Sequence, residues 1–192
     1  MPKEKEVRTT SKHAQLLDAA CGLFLTHGFY AVNMDAIAQA SGLSKRTIYR
    51  LHKSREALTA AVIRHDFDSW REWFFDAVRA QPGVTGAGLK GFYAVLRLWV
   101  ETPDFTGCLF ARVTLAGDTM PEETRQAAQA CADTLHQYFS SQARKLGMND
   151  RETFARAQML HLLVLLGRPG SASDSRQHLI GDMLRIFEKW CK

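Results

Sequence analysis

Residues 34–53 read MDAIAQASGLSKRTIYRLHK, and this stretch constrains the chain more than any other. Ala38 is small where two helices must approach closely. Gly42 follows at a turn, where a positive φ is easiest for glycine. Ile48 then returns an apolar side chain to the space between the helices, with Ile37, Leu43 and Leu51 completing that core. Asn33 and Ser44 are suited to cap two short helices, about 34–40 and 45–52. The layout is helix-turn-helix, a unit that leaves its second helix free to enter a major groove.

The rest of the chain reads as helix throughout. Leu16, Leu17, Ala20, Phe24 and Leu25 recur at helical spacing over about 11–27, with Gly28 placed to end that helix. Ser54 can cap a long helix reaching residue 81. Further helices are expected over about 86–101, 106–116, 121–147, 149–167 and 174–190. Pro82, Pro103, Pro121 and Pro169 fall between these segments, and no run alternates as a strand would. The expected fold is all-α with about nine helices: a three-helix N-terminal unit and a larger helical domain. The expected division is a polar tail (1–10), a DNA-binding unit (11–55) and a regulatory domain (56–192).

Charge follows the same division. The chain of 192 residues carries a formal net charge of +5. Residues 1–60 hold nine basic and five acidic side chains, and residues 44–55 hold five cations and no acid. This excludes a uniformly basic coat and places an anion-binding surface on one helix. Lys45, Arg46, Tyr49 and Arg50 are the candidates for reading bases, since Arg can bond a guanine edge bidentately. Asn33, Ser44, Thr47, Lys53 and Arg55 are the candidates for phosphate, a task the Tyr49 hydroxyl also suits. A charge run alone is more often a solvated helix face; the Ala38–Gly42–Ile48 spacing is what favours the reading helix.

Other classes have little support. The polar N-terminus lacks the apolar core of a secretory signal. The longest apolar run, 162–166, is far short of the roughly 20 residues of a spanning helix. Cys21, Cys108, Cys131 and Cys191 form no C-x-x-C pair, which suits a reducing cytoplasm. No metal-ligand spacing and no catalytic motif stands out, so no metal, cofactor or catalytic residue is assigned. Cys108 is read as a small buried hydrophobe, with thiol sensing as the alternative.

The larger domain is rich in aromatic residues. Their helical spacing suits an ordinary core, but their number exceeds one buried face. An apolar or aromatic effector pocket walled by Trp70, Phe74, Phe92, Trp99 and Phe110 is therefore expected. Leu162, Leu163, Leu166, Met183, Ile186, Phe187 and Trp190 form broad apolar stripes on the last two helices. Paired across two subunits, they would make a four-helix interface.

Residues 16–62 resemble the N-terminal domain of TetR-family bacterial transcriptional regulators. The resemblance rests on Gly28-Phe29, Ile37-Ala38, Ala40-x-Gly42-x-Ser44, Tyr49 and the run from Lys53 to Leu58. Phe105 to Phe110 also resembles a segment common in that family. The resemblance implies a homodimer that binds a palindromic operator, usually represses, and is released by an unknown small-molecule effector. Control by a protein partner is the alternative; an all-helical enzyme or carrier is a more distant one. Three positions depart from the family pattern. Arg46 stands where Gly is common, Asn33 where Thr is common, and Leu51-His52 where His-Phe is common. His52 is then either a half-buried group whose protonation acts on the unit or a tolerated substitution.

Overall fold

The computed structural model describes residues 12–80, 94–95, 98–99, 107–145 and 149. Among these it is all-α. The helices are α1 (Lys12–His27), α2 (Met34–Ser41), α3 (Lys45–Leu51), α4 (Arg55–Arg79), α5 (Leu109–Ala116) and α6 (Glu122–Lys145), with a 3-10 turn at Gly117–Thr119. Residues 94–95 and 98–99 are also helical. The expected N-terminal tail, Phe92 and the two expected C-terminal helices lie outside the described residues. So do the interface candidates Leu162, Leu163, Leu166, Met183, Ile186, Phe187 and Trp190.

Local chemistry sets most of the helix ends. Gly28 takes φ +81°, and its N–H bonds the Phe24 carbonyl at 3.0 Å, closing α1. The Asn33, Ser44 and Ser54 side chains accept from the backbone N–H of Ala36, Thr47 and Ala57 at 2.9, 3.2 and 3.0 Å. Each satisfies one of the orphan donors at a helix start. Gly42 takes φ +67° between α2 and α3.

One end departs from expectation. The helix anticipated over 106–116 begins only at Leu109, because Gly107 sits at φ +71° and Cys108 is extended. Cys108 gives no side-chain cap. The cap comes instead from Asp66 on α4, whose Oδ2 accepts from the Leu109 N–H at 2.9 Å.

The described helices share one apolar core, running from Leu16 in α1 to Leu135 in α6. The three-helix head (α1 to α3) contributes Leu16, Ala20, Phe24, Ile37 and Ile48, all fully buried. Each large one is worth about 1.5–3 kcal/mol of burial. α4 threads from head to body, burying Leu58, Val62 and Ile63 near its start and Phe67, Trp70 and Phe74 further on. α6 presents Ala127, Ala128, Cys131 and Ala132, small side chains that let it lie close against α4 and α5.

Candidate nucleic-acid interface

The predicted residues around the turn between α2 and α3 are mostly at the surface. Lys45, Arg46, Tyr49, Arg50 and Lys53 are exposed, and so are Asn33 and Ser44; Thr47 is half-buried. Beneath them Ile37 and Ile48 are fully buried, while Ala38 and Leu43 pack half-buried against the same core. The Ser44 and Thr47 hydroxyls are 3.0 Å apart, so both help build the first turn of α3. Asn33 spends its Oδ1 on the α2 cap.

Two expectations need correction. Leu51 is 39% exposed and is no part of the core between the helices. It stands on nearly the same side as Ile48, three positions on, but it is the last residue of a short helix, where the core no longer covers it. Arg55, expected at phosphate, points inward. Its Nη2 donates to the carbonyl of Phe29 and, at 3.1 Å, to that of Val32. It thereby ties the start of α4 to the α1–α2 connection.

Lys45 has a partner the sequence did not suggest. Its Nζ lies 2.5 Å from Oδ1 of Asp35, in the first turn of α2. His52 stacks on His13 of α1, with ring centroids 5.1 Å apart and the two Nε2 atoms 3.0 Å apart. An aromatic contact at this position is thus retained by two imidazoles. Burial depresses the His52 pKa, and the charges of His13 and Arg64 add to the shift. The contact needs an N–H on one ring and a lone pair on the other, so it cannot persist with both Nε2 atoms protonated.

The head is bound to the body at several further points. Arg112 Nη1 on α5 donates to the Phe24 and Leu25 carbonyls, at 3.1 and 2.7 Å, at the end of α1. Tyr30 OH donates to the Thr119 carbonyl at 2.8 Å. His65 on α4 bonds Asp18 on α1 at 2.7 Å. Asp66 accepts from the Cys21 thiol at 3.4 Å as well as from Leu109. Burial raises the Asp66 pKa, and these two hydrogen bonds oppose the rise. These ties join residues 43 to 89 positions apart, so no local sequence signal could have shown them.

In the body, the expected pocket residues pack on one another. Trp70 lies 4.9 Å from Phe74 and 5.2 Å from Trp99, and Phe110 meets Phe67 edge-on at 5.4 Å. Among the described residues the buried Trp70 indole N–H has no hydrogen-bond partner. Two cavities lie wholly among described residues. One, of about 490 Å³, is lined by the end of α1 and by α5 around Leu25, Phe29, Arg112 and Met120. The other, of about 300 Å³, lies between Phe67, Phe75, Leu135 and Tyr138. Neither is walled by Trp70, Phe74, Trp99 or Phe110.

Among the described residues no three His, Cys, Asp or Glu side chains cluster as metal ligands, and no helix is long and apolar enough to cross a membrane. Cys21, Cys108 and Cys131 are free thiols. Burial raises all three, Cys131 to about 12, which keeps them protonated and poorly nucleophilic.

Residues 16–62 match the profile of the family described as bacterial regulatory proteins, tetR family. The matched span covers α1 to α3 and the start of α4, the same elements that carry the exposed cations. Over this span the chain is similar to the TetR family. Over 61 residues it is 41% identical to a Mycobacterium tuberculosis transcriptional regulator named for mycofactocin biosynthesis, covering 30% of each chain. Over 72 residues it is 33% identical to the HTH-type transcriptional regulator RutR of Escherichia coli, covering 33% of this chain and 34% of that one. The chain thus matches about a third of the length of these curated relatives. The all-α fold is shared more widely. The reduced form of E. coli NemR superposes with TM-score 0.75 at 17% identity, covering 93% of this chain and 96% of that chain. A TetR-family regulator from Cytophaga hutchinsonii superposes with TM-score 0.76 at 15% identity, covering 96% and 98%.

Proposed function

We propose that two copies of this chain bind a palindromic DNA operator and repress transcription, and that a small apolar or aromatic effector releases them. The observation that carries the DNA-binding part is the face of α3. Arg46, Tyr49 and Arg50 stand exposed on a helix whose buried side is anchored by Ile48, and Lys53 stands exposed just past its end. A short helix held this way can lie in a groove with its first residues toward the bases. Arg46 is the base reader of choice, because its guanidinium forks to two acceptors on guanine. Lys53 and the Asn33 and Ser44 caps sit where phosphates would pass. Residues 11–55 are the reading head and residues 56–192 the regulatory domain.

The effector reading is supported by the Trp70 indole N–H. A buried donor without a partner is uncommon, and an effector atom that accepts a hydrogen bond would satisfy it. Two-fold assembly is supported by operator geometry, in which half-sites lie about one helical turn or a multiple of it apart. The test is selection of bound duplexes from a random pool by the full chain. Recovery of an inverted repeat supports the proposal. Recovery of no enriched sequence, together with binding insensitive to salt, refutes it.

A further inference from the structure

We propose that Asp35 is a specificity-determining residue, holding Lys45 at the base edges and away from the phosphates. The inference rests on the DNA-binding reading above. Asp35 is the sole acid between Gly28 and Arg55, in the most basic stretch of the chain. It is 74% exposed, with its Oδ1 2.5 Å from Lys45 Nζ.

The location is costly for a carboxylate. Asp35 sits in the first turn of α2, a helix end suited to phosphate, beside a cation of α3. A negative charge there repels the backbone of any duplex, whatever its sequence. The helix dipole favours Asp35 where it stands, by about 0.3–1 kcal/mol. That explains its stability and leaves its pairing with Lys45 unexplained.

The pairing has a consequence for recognition. A free lysine is a mobile point charge on a flexible stem, and a phosphate attracts it whatever the sequence. Tied to Asp35, its ammonium is fixed beside the first turn of α3 and is neutralised toward the backbone. Sequence-independent binding scales with the number of phosphates neutralised. Asp35 removes one cation per head from that count while keeping its hydrogen-bond donors in place. Its own carboxylate can also accept from a cytosine amino group.

The experiment compares the full-length wild type, Asp35→Asn, Lys45→Gln and the double variant. Each is titrated against the duplex recovered by selection and against a random-sequence duplex, from 50 to 200 mM salt. Asp35→Asn frees one cation per head. The slope of log affinity against log salt for random duplex then steepens by about 0.9 per head. Over this fourfold salt range that is about threefold for one head and about tenfold for two. Random-sequence affinity rises more than affinity for the selected duplex, so the ratio between them falls. The double variant, neutral like the wild-type pair, returns to the wild-type slope. Thermal melts of all four chains separate these effects from misfolding. Unchanged slope and ratio in folded Asp35→Asn, or a double variant no closer to wild type, overturns the proposal while leaving DNA binding intact. Salt-insensitive binding by the wild type itself overturns the reading beneath it.

Discussion

Replacing Arg55 by Met separates the two tasks an arginine can have at this position. As a phosphate contact, its loss would flatten the salt slope by about 0.9 per head and leave stability within about 0.5 kcal/mol. The structure gives it the other task. One Nη2 bonds the Phe29 and Val32 carbonyls, inside the connection that sets α1 against α2. A hydrogen bond to a charged group is worth about 1.5–3 kcal/mol where it is buried. Arg55 is only half-buried, and solvent screens much of that gain. The pair together is then worth about 2–3 kcal/mol. Met keeps the apolar stem and removes both donors, leaving the two carbonyls to water. For a chain of this size, each kcal/mol moves the melting temperature by about 2–4 °C. The expected fall is therefore about 5–10 °C. Differential scanning calorimetry gives the melt, and fluorescence anisotropy across a salt series gives the slope. A melt unchanged within about 1 °C, with a slope flattened by about 0.9 per head, would refute the clamp.

The other predictions address the same head. Arg46→Ala costs about 1–3 kcal/mol at one base pair and relaxes preference there, read by competition with single-base operator variants. Lys53→Ala weakens all duplexes almost equally and flattens the salt slope by about one unit in the same titrations. Gly42→Ala meets no steric obstacle at Cβ, so its cost is the positive φ alone, about 1–2 kcal/mol by denaturant unfolding. His52 is depressed below the ordinary histidine value near 6.5, so the fold favours its neutral form. The unfolded chain then binds the extra proton first, and stability falls as pH drops from about 6.5 toward the folded value. The melting temperature is expected to drop between pH 7.5 and pH 5, and by less in His52→Phe.

How far the sequence reached depended on distance along the chain. Gly28, Asn33, Gly42, Ser44 and Ser54 were legible because a cap acts within about three residues. Ile37 and Ile48 were legible because helical periodicity puts them on one side. Leu51 was misread because a seven-residue helix has too few turns for periodicity to fix its last position. Arg55 was misread because charge pattern counts cations without saying which way they point. The start of α5 was placed three residues early, because its cap comes from Asp66, 43 positions upstream. Nothing in the sequence pattern singled out Asp35. Its pairing with Lys45 required the turn geometry, which brings the starts of two helices together.

The bonds from Arg112 and Tyr30 bear on modular exchange. α1 ends on donors supplied by α5, and the α1–α2 connection is fastened to the turn after α5. A chimera spliced at residue 55 would carry the head intact and still strip it of the Arg112 donors and the Thr119 acceptor. Transplanting this head onto another regulator therefore requires moving Arg112 and the Gly117–Thr119 turn with it. The portable unit is discontinuous in sequence, and its seam runs through the body.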